Sequence, residues 1–161
     1  MLHSPTLDAL FALYQSHSYQ FTLALNIKAD GLQSALKTLL EKYSISNYFV
    51  FDMSVPDALS YLRQGLRVFT RQSELEKEPS FYEEACGVWL DEFFGHWVDE
   101  GTILRHLEHK KQVAIVSPDL HGRGFQKEWE RYKIFEQKYG PCEDLMLCTD
   151  KITQAQDFFN A

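Results

Sequence analysis

The stretch from Asn47 to Glu74, NYFVFDMSVPDALSYLRQGLRVFTRQSE, constrains the chain more than any other. An apolar run at residues 48–51 ends in Asp52, and an amphipathic segment follows at 57–63. Gly65 stops that segment, and a second apolar run at 66–69 leads into a polar burst, Thr70, Arg71, Gln72, Ser73 and Glu74. Short apolar runs bounded by turn signals mark buried strands, and the amphipathic piece between them marks a helix. The unit is β-α-β, which joins parallel strands through a right-handed crossover. Both strands finish in polar and charged residues. In a parallel sheet such ends lie together, on the side where ligands bind.

The same pattern recurs along the chain. Residues 5–14 predict a first helix, capped by Ser4 or Thr6, with Leu7, Leu10, Phe11 and Tyr14 on one face. Strands are expected at 21–27, 48–51, 66–69, 87–90, 113–116 and 145–148, and helices after them at 32–43, 57–63, 80–85, 102–108, 125–139 and 153–159. Strand starts spaced about 20–32 residues apart match the repeating unit of a (β/α)8 barrel. The expected fold is α/β, a partial (β/α)8 TIM-type barrel of six parallel strands in one domain over residues 1–161. An open doubly wound sheet is the other architecture this alternation permits.

At 161 residues, 45% hydrophobic and 24% charged, the chain is long and apolar enough for one packed core. A net charge of −7 argues against nucleic acid, which calls for a basic stripe. The longest basic cluster, residues 106–111, is broken by Glu108 and reads as a solvated helix end. No apolar run approaches the ~18–20 residues of a membrane span, and the first residues lack the pattern of a signal peptide. A soluble, cytoplasmic protein is the expectation. Cys86, Cys142 and Cys148 make an odd set without CxxC spacing, so neither a disulfide framework nor a zinc site is expected. Cys86 and Cys148 adjoin apolar runs and read as buried thiols.

The residues just after the strands carry what chemistry the sequence offers. They are Asn26, Lys28 and Asp30; Asp52 and Ser54; Arg71, Gln72 and Glu74; Asp91 and Glu92; Ser117, Asp119 and His121; Thr149 and Asp150. Acids dominate. Converging carboxylates suit a hard divalent cation, Mg²⁺ or Ca²⁺, and Asp52, Glu74 and Asp91 are the candidate ligands. Lys28 and Arg71 suit an anion, since arginine grips phosphate in a bidentate way. With Asn26, and with Trp97 as a lid after Phe-Phe-Gly, they outline a site for a phosphate-bearing small molecule. A turn or helix-cap role competes at Asp30, Asp119 and Asp150. Glu74 and Glu76 also fit a solvated charge run, His121 beside Gly122 fits an exposed loop, and Trp97 fits a satellite apolar cluster. No GxSxG elbow, P-loop or GxGxxG is present, so no catalytic residue is assigned. The haloacid dehalogenase pattern fails because Ser54 stands where its second Asp belongs.

Taken in order, LALNIKADGL, NYFVFDMS, LRVFTRQSE, GVWLDEF, VAIVSPDLHGR and LMLCTDKITQAQDFF resemble the later strands of glycerophosphodiester phosphodiesterase-like barrels, the superfamily that includes phosphatidylinositol-specific phospholipase C. The family's third strand reads like LNIEIK, and its last strand ends in Thr-Asp, as Thr149 and Asp150 do here. The resemblance implies a phosphoric diester hydrolase-like domain. The departures are specific. The family's His-Arg-Gly, Glu-Asn-Thr, Glu-x-Asp and His-Asp elements, which hold both catalytic histidines and most metal ligands, have no counterpart. His3 is followed by Ser4 and not by Asp. Lys28 stands where the family has a metal-binding Glu, and Asp30 where it has Lys. A phosphate-binding domain impaired in catalysis is therefore expected. The alternative is a non-catalytic oligomerising or partner-binding module. A barrel short of two strands has two open edges, so a homo-oligomer is expected in either case.

Overall fold

The computed structural model describes residues 4–161, so His3 lies outside the described residues. The chain divides into two compact units, one ending at Val68 and the other beginning at Phe69.

The first unit runs α1 (Leu7–Ser16), β1 (Leu23–Asn26), α2 (Gln33–Lys42), β2 (Tyr48–Phe51) and α3 (Val55–Arg63). Helix α1 starts where Thr6 accepts a hydrogen bond from the Ala9 amide at 3.2 Å, and α3 where Ser54 accepts from Asp57 at 3.4 Å. The two strands are parallel, with Leu23 beside Tyr48 and Asn26 beside Phe51, and Val68 adds a single parallel bridge to Val50. Phe11, Leu36, Leu40, Val50 and Tyr61 form the core between strands and helices. Asp52 follows β2 at φ 69°, a left-handed conformation that Asp tolerates better than most residues.

The second unit holds a four-stranded parallel sheet of β3 (Phe69–Ser73), β4 (Gly87–Asp91), β5 (Gln112–Val116) and β6 (Leu145–Cys148), in that spatial order. Helices α4 (Glu100–Glu108), α5 (Gln126–Tyr139) and α6 (Ile152–Asn160) complete it. The register sorts side chains by face, because successive residues of a strand point to opposite sides. Val88, Leu90, Val113 and Ile115 pack with Trp129, Tyr132 and Phe135 of α5. The opposite face carries the row Ser73, Asp91, Val116 and Cys148 at the C-terminal ends of the strands. Gly87 lets the Phe69 ring lie flat on β4, since a Cβ there would meet that ring at 2.3 Å and the Gln112 carbonyl at 2.7 Å.

The α/β class with parallel strands agrees with the sequence reading, as sheets of two and four strands with six helices. Three local expectations are corrected. Strand β3 begins at Phe69, not at residue 66, and takes in most of the polar burst. Those polar residues are satisfied inside: the Thr70 hydroxyl donates to the Ser80 carbonyl at 2.6 Å, and the Gln72 carbonyl oxygen faces His106 Nε2 at 2.8 Å. Residues 80–85 form turns in place of the expected helix. They are fixed by Lys111, which donates to the carbonyls of Glu83 and Ala85 at 3.0 and 2.8 Å. The cluster at 106–111 is not a solvated helix end, for His106 and Lys111 are both buried. No helix among the described residues is long and apolar enough to cross a membrane.

Candidate functional site

The densest group of chemistry-bearing side chains in the second unit lies at the C-terminal ends of β4, β5 and β6. Asp91 is the last residue of β4 and points to the face opposite the one on which α4 and α5 pack. His121 comes from a 3₁₀ turn, Pro118–His121, that follows β5 and is closed by Gly122 at φ 67°. A left-handed residue at that position is what glycine supplies at least cost. The turn brings His121 Nε2 within 2.7 Å of Asp91 Oδ1, with side chains 23% and 11% exposed. The carboxylate can only accept, so Nε2 carries the proton, and Nδ1 is the nitrogen left to exchange one with a ligand. The Phe93 ring covers the imidazole at a centroid distance of 5.2 Å.

Neighbouring loops are tied to the same place. Both oxygens of Asp119 accept from the Thr149 hydroxyl, at 3.0 and 2.9 Å, and Oδ2 also accepts the Asp150 amide at 3.0 Å. This is the turn-forming role that competed for Asp119 in the sequence. Cys148 lies in the same row as Asp91. Burial pushes its thiol up, and the charges of Asp150, Asp119 and Asp91 add to that, so it is held as a thiol and not as a nucleophilic thiolate.

The loop over the dyad is built on two acids. Glu92 is fully buried, and its Oε1 accepts the amides of Trp97 and Val98, each at 2.9 Å, and faces His96 Nδ1 at 2.9 Å. The Arg123 guanidinium donates to the Glu92 carbonyl. Glu74 accepts the amides of Phe93 and Phe94 at 3.0 Å and of Gly95 at 3.2 Å. Burial acts to raise the Glu74 carboxyl, but the amides of Phe94, Gly95 and Phe93 outweigh it and hold it below the usual range.

The residues singled out in the sequence are placed as follows. In the first unit Lys28 donates to the Asp52 carboxylate, with Lys28 well exposed, and Asn26 ends β1 exposed. In the second unit Arg71 donates to Glu76, and the Trp97 indole donates to the Asp91 carbonyl at 2.9 Å while its ring packs on the core. Glu74 spends both carboxylate oxygens on backbone amides, and Asp91 faces an imidazole. Among the described residues no group of three or more His, Cys, Asp and Glu side chains is placed to hold a metal ion. Of the three carboxylates expected to bind a cation, Asp52 belongs to the first unit and Glu74 and Asp91 to the second.

Two features escaped the sequence reading. Asp91 and His121 were each visible as strand-end residues, but their pairing depends on β4 and β5 being neighbours. A second network joins Gln72, His106, Tyr82 and His109. His106 Nε2 lies 2.8 Å from the Gln72 carbonyl oxygen, and its Nδ1 lies 2.8 Å from the Tyr82 hydroxyl, which also meets His109 Nδ1 at 3.2 Å. Burial, with the Arg105 and His109 charges behind it, lowers His106 to about 4. The signal for it was the spacing of Thr102, Ile103 and His106 on one face of α4. The architecture is that of an α/β protein with its polar residues gathered at parallel strand ends. No family model, curated protein or solved structure matches the chain.

Proposed function

We propose that the chain is a phosphodiesterase-like α/β domain, of partial (β/α)8 type, that binds a phosphate-bearing small molecule at its strand C-terminal ends and turns it over slowly or not at all. The observation that carries this reading is the Asp91–His121 contact of 2.7 Å at the mouth of the second unit. A proton arriving on Nδ1 makes the ring a cation braced by Asp91, the state that suits a phosphate oxygen. Arg123 follows His121 by two residues, Arg71 stands on β3 beside β4, and Trp97 belongs to the loop after β4. Lys28 and Asn26 are the corresponding groups of the first unit. Phosphodiester cleavage needs both an acid and a base, and His96, the other histidine of these loops, is engaged by the buried Glu92, which favours binding over turnover. No step is assigned to a metal.

Titration with phenyl phosphate, followed by calorimetry and by the His121 ring signals in NMR, tests the reading. Binding in the millimolar range or tighter is expected, weakened about tenfold in His121→Ala and Asp91→Asn. Heatless titrations with unmoved His121 signals would remove the site. Hydrolysis of bis(p-nitrophenyl) phosphate above the buffer rate, lost in His121→Ala, would keep the site but overturn its impairment.

A further inference from the structure

The connection from β3 to β4 carries no helix. Residues 77–85 cross the helix side of the sheet as bends and turns, and side chains from the elements around them hold their main chain. Gln72 Nε2 donates to the Lys77 carbonyl at 2.8 Å, and the Thr70 hydroxyl to the Ser80 carbonyl at 2.6 Å. Lys111 Nζ holds the carbonyls of Glu83 and Ala85 and lies 5.1 Å from the centre of the Tyr82 ring. The Tyr82 hydroxyl reaches α4, 2.8 Å from His106 Nδ1 and 3.2 Å from His109 Nδ1. Phe81, a bulky residue, sits at φ 54°, a left-handed conformation that persists only where the surroundings enforce it. The residues just before are fastened differently. The Ser73 amide donates to the Glu76 carbonyl at 3.1 Å, and the Ser73 hydroxyl accepts the Leu75 and Glu76 amides at 3.2 and 3.1 Å. None of these last contacts involves a histidine.

His106 holds the segment twice, at Tyr82 and through Gln72, whose amide nitrogen is already committed to Lys77. The Gln72 oxygen can only accept, so Nε2 of the neutral ring carries the hydrogen and Nδ1 accepts from Tyr82. A proton on Nδ1 turns it into a donor. The Tyr82 hydroxyl can then answer only by turning its own hydrogen to His109, and a protonated His109 has no lone pair to receive it. The Tyr82 ring lies against the imidazole with 5.5 Å between centres, and the imidazole is 2% exposed, so the new charge would be shut away from water. The charges that act on it, Arg105 and His109 of α4, are both positive. Arg105 and Glu83 act on the Tyr82 hydroxyl with opposite signs, and Lys111 adds a third cation over its ring. Closed, the segment keeps His106 neutral. Lifted, it returns the ring to water, where the proton is taken at the ordinary histidine pKa, so acid favours the lifted state. We propose that residues 77–85 form a strap that acid releases from β3 and α4 while the sheet beneath stays folded, His106 being the group that takes the proton.

Native-state hydrogen exchange of the Ala85 amide, which donates to the Phe81 carbonyl at 3.0 Å within the strap, reads this in the full chain. Corrected for the intrinsic rate, its exchange is expected to rise about tenfold from pH 7 to 5.5. It is expected to be insensitive to low urea, as an opening that exposes little surface is. The Val113 amide, which donates to the Asp144 carbonyl within the sheet, is expected to exchange more slowly and to accelerate with urea. His106→Gln can still donate to Gln72 but takes no proton, and its Ala85 exchange is expected to be independent of pH over the same interval. Two outcomes in the wild type alone would overturn the proposal: an Ala85 amide as slow and as urea-sensitive as Val113, or a corrected Ala85 rate that does not change with pH. So would a pH dependence that survives in folded His106→Gln.

Discussion

Lowering the pH from 7 to 4.5 is expected to weaken the second unit through one residue, His106. Its ring is 2% exposed and held neutral between two fixed groups. Nε2–H donates to Gln72, and Nδ1 accepts from Tyr82. Folding lowers its pKa from 6.5 to about 4. The unfolded chain therefore binds the extra proton throughout that interval and the folded chain does not. Stability contributed by the neutral ring is complete above about pH 6.5 and is lost as the pH falls toward 4. That difference is worth ~3 kcal/mol, against a total of ~5–15 kcal/mol for a typical domain. Trp89, Trp97 and Trp129 all lie in this unit, so urea unfolding followed by tryptophan fluorescence reads it directly. His106→Leu is the control. It leaves the Gln72 oxygen without its partner and the Tyr82 hydroxyl with His109 alone, at a cost of ~2–3 kcal/mol at pH 7, but it removes this pH term. The quantity to follow is the difference between wild type and variant, which should shrink steadily between pH 6.5 and 4.5. A constant difference, or a His106 ring titrating near 6.5 in NMR, would refute the reasoning.

Other substitutions test the packing. Gly87→Ala is expected to cost ~2–3 kcal/mol, measured as a lower urea midpoint, because its methyl meets both the Phe69 ring and the Gln112 backbone. A neutral result would mean that β3 and β5 do not sit so close to β4. Glu92→Ala strips the acceptor from the Trp97 and Val98 amides and should cost ~3 kcal/mol, while Glu92→Gln keeps one oxygen and costs less; equal losses would assign the effect to charge alone. Tyr61→Phe is expected to be neutral or to stabilise by up to ~1 kcal/mol, because its fully buried hydroxyl has no hydrogen-bond partner among the described residues. A loss above that in thermal melts would mean that an internal water satisfies it.

What could be read from the sequence followed from chain-local causes. The apolar runs, the caps at Thr6 and Ser54, and the turns at Gly31 and Gly65 placed most elements within a few residues. Beginning β3 at residue 66 went astray because polarity was taken as a strand end. Thr70 and Gln72 are buried in the strand, and the partners that make this tolerable, Ser80 and His106, lie 10 and 34 residues on. The same distance hid the dyad, whose members are 30 residues apart. A charge run misled for a related reason. Residues 106–111 look solvated as a string, yet His106 falls three residues after Ile103, on the inward side of α4. The long methylene stem of Lys111 lets its ammonium reach two carbonyls of the turn below. Glu74 illustrates the converse, a carboxylate at the right place for a ligand whose oxygens are taken by the amides of a Phe-Phe-Gly loop nineteen to twenty-one residues away. In a parallel sheet neighbouring strands are separated by a whole crossover, so a partner supplied by the next strand or its loop lies at such distances. Residue type and position relative to a strand therefore select the candidates, and only strand order decides which of them meet. Here it brings together Asp91 and His121, and it commits Glu74 and Asp119 to holding the loops around them.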